Sequence, residues 1–405
     1  MEKKKGLSLA VQILIALVVA IAVGLIVGKS GAPFLNEYIK PFGTIFLNLL
    51  KFAVVPVVLF SMISGIISMK DIRKVGSIGA KTVVYYLCTT VVAIVIGLGI
   101  GSLFKGVFPV LETSGLEYTA NSAKFMDTLV GIFPSNAVAP LVNATMLQII
   151  VIAIFVGIGI VLTGEKAKPV ADLVLSFNEV FIKVMEMILK TSPIAVFCLL
   201  APVIAANGAE ILGSLGLVLL CAYICYVLHT VVCYSVTVAT IGKMSPLQFF
   251  KGIYPAMIFA FSSASSVATL PINIDCCKKM GASDEVSSFV LPLGATINMD
   301  GTAIYQGVCA IFIASCFGID LTLGQMVTIV LTATLASIGT AGVPGAGMVM
   351  LSMVLMSVGL PVEGIALVAG IDRLFDMGRT AVNITGDSSA AICITKLEER
   401  KNSKK

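Results

Sequence analysis

Ser337-Ile338-Gly339-Thr340-Ala341-Gly342-Val343-Pro344-Gly345-Ala346-Gly347 interrupts an apolar stretch and leaves arms of about 14 and 12 residues on either side. At about 1.5 Å per residue neither arm crosses the roughly 30 Å of bilayer hydrocarbon, and a tip this rich in Gly and Pro does not stay helical. Region 322–359 therefore reads as two half-length helices that enter and leave on one side. The same design recurs upstream. The apolar run 252–261 stops at Ser262-Ser263-Ala264-Ser265-Ser266, and the next segment soon reaches Asp275, Lys278 and Lys279. Neither of these arms covers more than about 20 Å. Non-helical backbone at membrane depth persists only where protein or water satisfies its polar groups, so two such tips imply a buried polar cavity. Paired broken segments are the best sequence pointer to a transporter site. The alternative is a single kinked span over 322–359, which would put the C-terminal basic cluster on the opposite side.

The surrounding chain fits a membrane setting. Of 405 residues, 58% are hydrophobic and 12% charged, with a mean hydropathy of +1.04; a soluble domain carries about 25% charged residues. Soluble enzymes, nucleic-acid binders and disordered hubs are excluded on this ground. The net charge of +5 reflects loops rather than a phosphate-binding face. Apolar runs near 7–28, 43–69, 82–104, 145–163, 173–205 and 211–241 make six further helices. Ala20-Ile21-Ala22 mimics a signal-cleavage site, but the apolar run continues past it, so the first run reads as a retained span. Lys3 to Lys5, Lys70, Arg73, Lys74, Lys81, Lys166, Lys168, Lys243, Lys251, Lys278, Lys279 and the basic residues after Thr395 fall on one side of this pattern. Only Lys29, Lys40, Lys105 and Lys124 fall on the other. The positive-inside bias then sets both termini in the cytoplasm of a multi-pass protein of the cell membrane. The ten cysteines include no CxxC pair, and His229 is the single histidine, so the cysteines read as small packing residues and no structural metal site is expected.

Charges inside the spans locate the chemistry. Segment 286–317 carries Gly294-Ala295-Thr296-Ile297-Asn298-Met299-Asp300-Gly301-Thr302 at its middle. An Asp there costs several kcal/mol unless it is paired or holds a cation. The glycines, Asn and Thr loosen the helix and free carbonyls, and such hard oxygens suit Na⁺. The last span places Asp372, Asp376, Arg379, Asn383 and Asp387 on one helical stripe. That stripe must face protein. A structural ion-pair ladder is the bland reading, since Asp376 and Arg379 can neutralise each other at i, i+3. Three acids to one base argue instead for cations supplied from elsewhere. Arg379 grips a carboxylate bidentately and Asp376 can hold an ammonium, which together complement an acidic amino acid.

With those residues in hand, the chain resembles the glutamate transporter family, the dicarboxylate/amino acid:cation symporters. The carriers are Leu293 to Ala303, Ser337 to Gly347, and Asp376-Met377-Gly378-Arg379-Thr380 with Asn383 and Gly386-Asp387. Tyr85 to Thr90 and Ser265 to Pro271 add weaker matches. The resemblance runs end to end and implies an all-α fold of eight transmembrane helices plus two re-entrant hairpins, assembled as a homotrimer. It divides the chain into scaffold helices (1–75 and 111–206), transport-domain helices (76–110 and 207–245), a first hairpin (246–283), helix 7 (284–318), a second hairpin (319–359), helix 8 (360–395) and a basic cytoplasmic tail (396–405). The transport domain is implied to move like an elevator against the scaffold.

The resemblance also implies roles. Arg379 is the ligand of the substrate's side-chain carboxylate and Asp376 that of its amino group. Asn383, Thr302, Thr380, Ser265, Ser266 and the backbone of Val343 and Gly347 complete the substrate site. One Na⁺ falls to Gly294, Asn298, Asn383 and Asp387. A second falls to Thr296, Ser337, Ile338 and Thr340, and a third to Tyr86, Thr89, Thr90, Asn298 and Asp300. The implied function is Na⁺-coupled symport of aspartate or glutamate across the lipid bilayer, with no cofactor beyond the co-transported ion and no nucleic acid. C4-dicarboxylate or neutral amino-acid transport on the same fold, with proton coupling as a variant, is the alternative.

Departures from the family pattern matter. Many members carry an extra arginine at positions that are Ala264 and Met377 here; Arg373, at i−4 from Met377, can reach the same region or can face headgroups as a helix-end residue. Val267 replaces a serine common in the first hairpin. Gln306 stands where proton- and potassium-coupled members have Glu, which favours Na⁺ coupling without a carboxylate proton carrier there. An enzymatic reading of Asp372-x-x-x-Asp376 as Mg²⁺ carboxylates fails because Arg379 competes on the same face.

Overall fold

The computed structural model describes residues 9–68, 77–110, 130–131, 133–208, 210–337 and 346–402, which are almost wholly helical and form no strand. Val, Ile, Leu and Ala dominate the helices, where a buried backbone must satisfy its own polar groups. Among the described residues, five stretches are long and apolar enough to cross a membrane: Val11–Ile67, Ser77–Val107, Gln148–Leu189, Gly213–Thr240 and Asp284–Cys316. The first, 57 residues long, holds α1 (Leu9–Phe34) and α2 (Lys40–Ser68), joined by a π-helical turn at Leu35–Ile39.

α3 (Ser77–Phe104) is followed by α4 (Met146–Thr163) and then α5 (Lys168–Leu189) and α6 (Ser192–Asn207). The sequence suggests one apolar run over 173–205, and the structure splits it. Pro193 has no N–H to continue α5, while the hydroxyls of Thr191 and Ser192 donate to the carbonyls of Ile188 (2.7 Å) and Leu189 (2.6 Å). Next come α7 (Glu210–Leu228), a π-helical turn His229–Tyr234 and α8 (Ser235–Thr240).

The first interrupted region forms α9 (Pro246–Ser263) and α10 (Ser266–Lys279), which pack on each other. The turn between them forms where Ala264 adopts a left-handed conformation (φ 51) and Ser265 Oγ accepts from Ala268 N at 3.2 Å, capping α10. α9, at 18 residues, is longer than the sequence suggests, because Pro246 starts it in a polar turn ahead of the apolar run. α11 (Asp284–Ile297) and α12 (Asp300–Cys316) are separated by Asn298 and Met299, which leave helical geometry. The expected loosening of the segment 286–317 is thus a full break. α13 (Leu323–Ser337) and α14 (Ala346–Ser357) flank the glycine-rich tip, whose residues 338–345 lie outside the described part. α15 (Asp372–Asn402) closes the chain.

Packing falls mostly into two groups. α1 runs along α6, and α2 lies against α4, α5 and α6; elsewhere α12 runs along α3, and α15 contacts α9, α11 and α12. α14 touches both groups through α2, α4 and α12. Every residue of the Asp284–Cys316 window that qualifies it as a span is buried inside protein, so its polar groups face side chains instead of lipid. Gly97 permits this arrangement: a Cβ there would lie 2.8 Å from the Ile304 carbonyl of α12.

Candidate functional site

The α15 stripe faces inward as a set. Asp372, Asp376, Arg379, Thr380, Asn383 and Asp387 are all buried. Arg379, 2% exposed, meets Asp376 Oδ1 through Nη2 at 2.8 Å and Nε at 2.9 Å, and Asp372 Oδ1 through Nη1 at 3.1 Å. Its Cζ lies 4.7 Å from the centroid of the Tyr305 ring, a cation–π contact. Gly347, at the start of α14, faces the same guanidinium so closely that any Cβ would collide with it. The glycine is required by that approach and not by its φ. The ion-pair ladder therefore exists, and it holds Arg379 pre-aimed between two carboxylates.

Other residues expected at the substrate site converge here. Asn383 Oδ1 accepts from Gly301 N at 2.8 Å, and Asn383 Nδ2 lies 3.3 Å from Met299 Sδ. Thr302 Oγ1 approaches the same sulfur at 3.8 Å. Ser266 is buried at the start of α10, whereas the Ser265 hydroxyl is engaged as the cap of that helix. Val343 lies outside the described residues.

A second focus forms where α11 breaks. Asn298 Nδ2 donates to Asp387 Oδ1 at 2.9 Å and to the Asn383 carbonyl at 3.0 Å. Asp387 Oδ2 and Asn298 Oδ1 are buried and have no hydrogen-bond partner among the described residues. Gly294 sits against Asp387 Oδ1 and the Tyr86 hydroxyl, which itself donates to Val290 O at 3.0 Å. Two buried oxygens without donors, one of an amide and one of a carboxylate, at a helix end suit a hard monovalent cation. All four residues expected for the first ion thus come together.

The third expected set divides. Asp300, fully buried, accepts at Oδ1 from Thr90 Oγ1 (2.7 Å) and at Oδ2 from the Tyr234 hydroxyl (2.8 Å), with His229 Nε2 3.2 Å from Oδ2. Thr89 Oγ1 donates to the Tyr86 carbonyl at 3.1 Å. Of the second set, the hydroxyls of Thr296 and Ser337 each bond within their own helices, to Leu293 O (3.0 Å) and Thr334 O (2.7 Å). Ile338 and Thr340 lie outside the described residues. Among the described residues no group of three or more His, Cys, Asp or Glu side chains is placed to hold a metal.

Some participants were not assigned from the sequence. The spacing puts Asp372 on the stripe without giving it a role, and the structure pairs it with Arg379. His229 and Tyr234 both reach Asp300 because the turn between them is π-helical, which brings together residues five apart that a 3.6-residue period would set on different faces. A lone histidine inside an apolar span was the only signal. Ser388 donates to Asn273 Oδ1 at 2.5 Å, joining α10 to α15 beside Asp387.

The family model for the sodium:dicarboxylate symporters matches residues 9–397. The chain belongs to the sodium:dicarboxylate symporter family. It is thus a multi-pass membrane transporter and not an enzyme. Within this symporter family it is similar to the proton/sodium-glutamate symport protein of Bacillus caldotenax, 37% identical over 411 residues (99% of this chain and 97% of the relative). The proton/glutamate-aspartate symporter of Escherichia coli (strain K12) is 34% identical over 98% of this chain and 94% of that protein. The C4-dicarboxylate transport protein of Bacillus subtilis (strain 168) is 32% identical over 96% of this chain and 94% of the relative.

Proposed function

We propose that this symporter couples uptake of an acidic amino acid, aspartate or glutamate, to co-transport of Na⁺ by an elevator-type alternating-access mechanism. Relatives carrying glutamate and C4-dicarboxylate in their names show that family membership alone leaves the substrate open, so the site's residues must decide. The observation that carries the reading is the combination on one face of α15 of an Arg379 clasped by Asp372 and Asp376 with the donor-less oxygens of Asp387 and Asn298. The first complements a zwitterion with an extra carboxylate and the second a small cation.

In this reading binding is an exchange of ion pairs. The substrate's side-chain carboxylate takes the Arg379 fork, its ammonium takes Asp376, and Asp372 and Tyr305 keep the guanidinium in place. Asn383, Thr302, Thr380, Ser265, Ser266 and the backbone at Val343 and Gly347 line the remainder. Gly294, Asn298, Asn383 and Asp387 hold one Na⁺; Thr296, Ser337, Ile338 and Thr340 a second; Tyr86, Thr89, Thr90, Asn298 and Asp300 a third. Asn383 belongs to both an ion set and the substrate set, and its carbonyl accepts from Asn298 of the same ion set, which gives the two ligands a physical route to raise each other's affinity. A C4-dicarboxylate lacks the ammonium for Asp376, and a neutral amino acid lacks the carboxylate that replaces Asp376 on Arg379.

The same proposal includes eight crossings and two re-entrant hairpins, α9–α10 and α13–α14. The mutual packing of α1, α2 and α4–α6 supports their role as a scaffold, fixed within a homotrimer, against which the other helices move. The basic loops support cytoplasmic termini in the cell membrane.

Labelled aspartate and glutamate offered to proteoliposomes under an imposed Na⁺ gradient test the reading, with H⁺ or K⁺ gradients alone as controls. Accumulation driven by Na⁺ is expected. Accumulation that ignores Na⁺ and follows H⁺ would overturn the ion assignment.

A further inference from the structure

Arg373 lies in the first turn of α15, and its Nη2 donates to the carbonyl of Ser263 at 3.2 Å. Ser263 is the last residue of α9, next to the left-handed Ala264 at the tip. The other guanidinium nitrogen, Nη1, stands 3.7 Å from Asp376 Oδ2. Asp376 therefore faces two guanidiniums, Arg379 at Oδ1 and Arg373 at Oδ2, while Asp372 takes the other side of Arg379. Two positive and two negative groups form one partly closed cluster: the side chain of Arg373 is 22% exposed and that of Asp376 7%.

This arrangement bears on what happens when substrate enters. Once a carboxylate occupies Arg379, Asp376 needs another cation, because a buried carboxylate left without one is strongly disfavoured. The ammonium of an acidic amino acid supplies it. For a four-carbon dicarboxylate with no amine, Arg373 is already in place to do so. We infer that Arg373 is a specificity-determining residue that sets how strongly the site demands an amino group, by acting as a resident counter-cation for Asp376. The inference rests on the proposed acidic amino-acid site and deepens it. The hydrogen bond to Ser263 O also fixes Arg373 to the α9–α10 tip, so the guanidinium is held in reach and not simply near.

The test is inhibition of labelled aspartate uptake in proteoliposomes by unlabelled aspartate and by succinate, in the wild type and in two variants. Arg373→Gln keeps a donor for Ser263 O but removes the charge; the preference for aspartate over succinate is expected to rise by about tenfold or more. Arg373→Lys keeps the charge and is expected to hold the wild-type ratio within about threefold. A purely structural tie to the hairpin would weaken both ligands alike, so an unmoved ratio in Arg373→Gln overturns the assignment, as does a ratio that Lys fails to restore. If Arg373→Gln does not reach the membrane, the wild type decides: succinate is expected to compete within about a thousandfold of aspartate, and complete indifference to succinate overturns the role. A wild type that accumulates no aspartate under a Na⁺ gradient would fail the functional reading itself, whereas unchanged selectivity in an active Arg373→Gln fails only this inference.

Discussion

Asn298 and Asp387 share one hydrogen bond, Nδ2 to Oδ1 at 2.9 Å, and each keeps one side-chain oxygen, Oδ1 of the amide and Oδ2 of the carboxylate, buried where no described donor reaches it. The amide comes from a helix break and the carboxylate from the interior of α15. A pair of this kind suits a cation that neither residue supplies.

Asp387→Asn removes the formal charge while keeping the shape. The Na⁺ concentration needed for half-maximal substrate binding is expected to rise by about tenfold or more, equivalent to about 1.4 kcal/mol. A Na⁺ titration of substrate binding checks this, and an unaltered titration removes Asp387 from the ion's ligands.

Arg379→Cys leaves Asp372 and Asp376 facing each other without their shared guanidinium. Breaking a buried pair from one side costs about 3–5 kcal/mol, so a lowered melting temperature is expected with loss of acidic-substrate uptake. Arg379→Lys should recover much of the stability and little of the uptake, because an ammonium cannot reproduce the fork. Uptake of aspartate that survives Arg379→Cys would show that the side-chain carboxylate binds elsewhere.

Gly347→Ala places a methyl group against the Arg379 guanidinium. Overpacking of this type costs about 1–3 kcal/mol, and the guanidinium must yield because the alternative is movement of α14. Aspartate affinity measured by competition is expected to fall by about tenfold, with the protein still reaching the membrane. Unchanged affinity would mean that the guanidinium and α14 separate when substrate binds.

Glu398, near the C-terminal end of α15, accepts from Lys81 Nζ at 2.6 Å and Ser77 Oγ at 2.8 Å. The hydrogen bond from Lys81 is the main cause that holds its carboxyl below the usual glutamate range. A depressed folded-state value means that this stabilisation is present above the ordinary glutamate range and is lost as pH falls through the lower folded-state value. The pair is partly exposed, at 30% and 18% for the two side chains, so its worth is at most about 1 kcal/mol. Melting temperature between roughly pH 3 and 7 should decline less steeply on the acid side in Glu398→Gln; an identical profile would show that the pair contributes nothing to stability.

Much of this architecture was legible in the sequence because membrane burial makes polar residues conspicuous. The stripe from Asp372 to Asp387 shares one face by spacing alone, and the structure buries all of it. The tip at Ser262–Ser266 and the loosened segment around Asn298 were readable from runs too short or too polar to continue. What the sequence hid was side-chain geometry: the i, i+3 spacing pairs Arg379 with Asp376 but does not show that Asp372 takes its other side, and that His229 and Tyr234 converge on Asp300 depends on an extra residue in a helical turn. The split between α5 and α6 was missed because apolar content masked Pro193. Arg373 was open between the hairpin tip and the headgroups, and its bond to Ser263 O places it at the tip.

The complete burial of the 18-residue window that qualifies Asp284–Cys316 as a span, the least apolar of the five long stretches, reaches beyond transport to biogenesis. A segment that meets no acyl chains in the finished protein has little reason to partition into lipid on its own when it emerges from the ribosome. Its integration must lean on neighbours made before and after it, so damage to those neighbours should surface first as failed insertion and only later as faulty cargo binding.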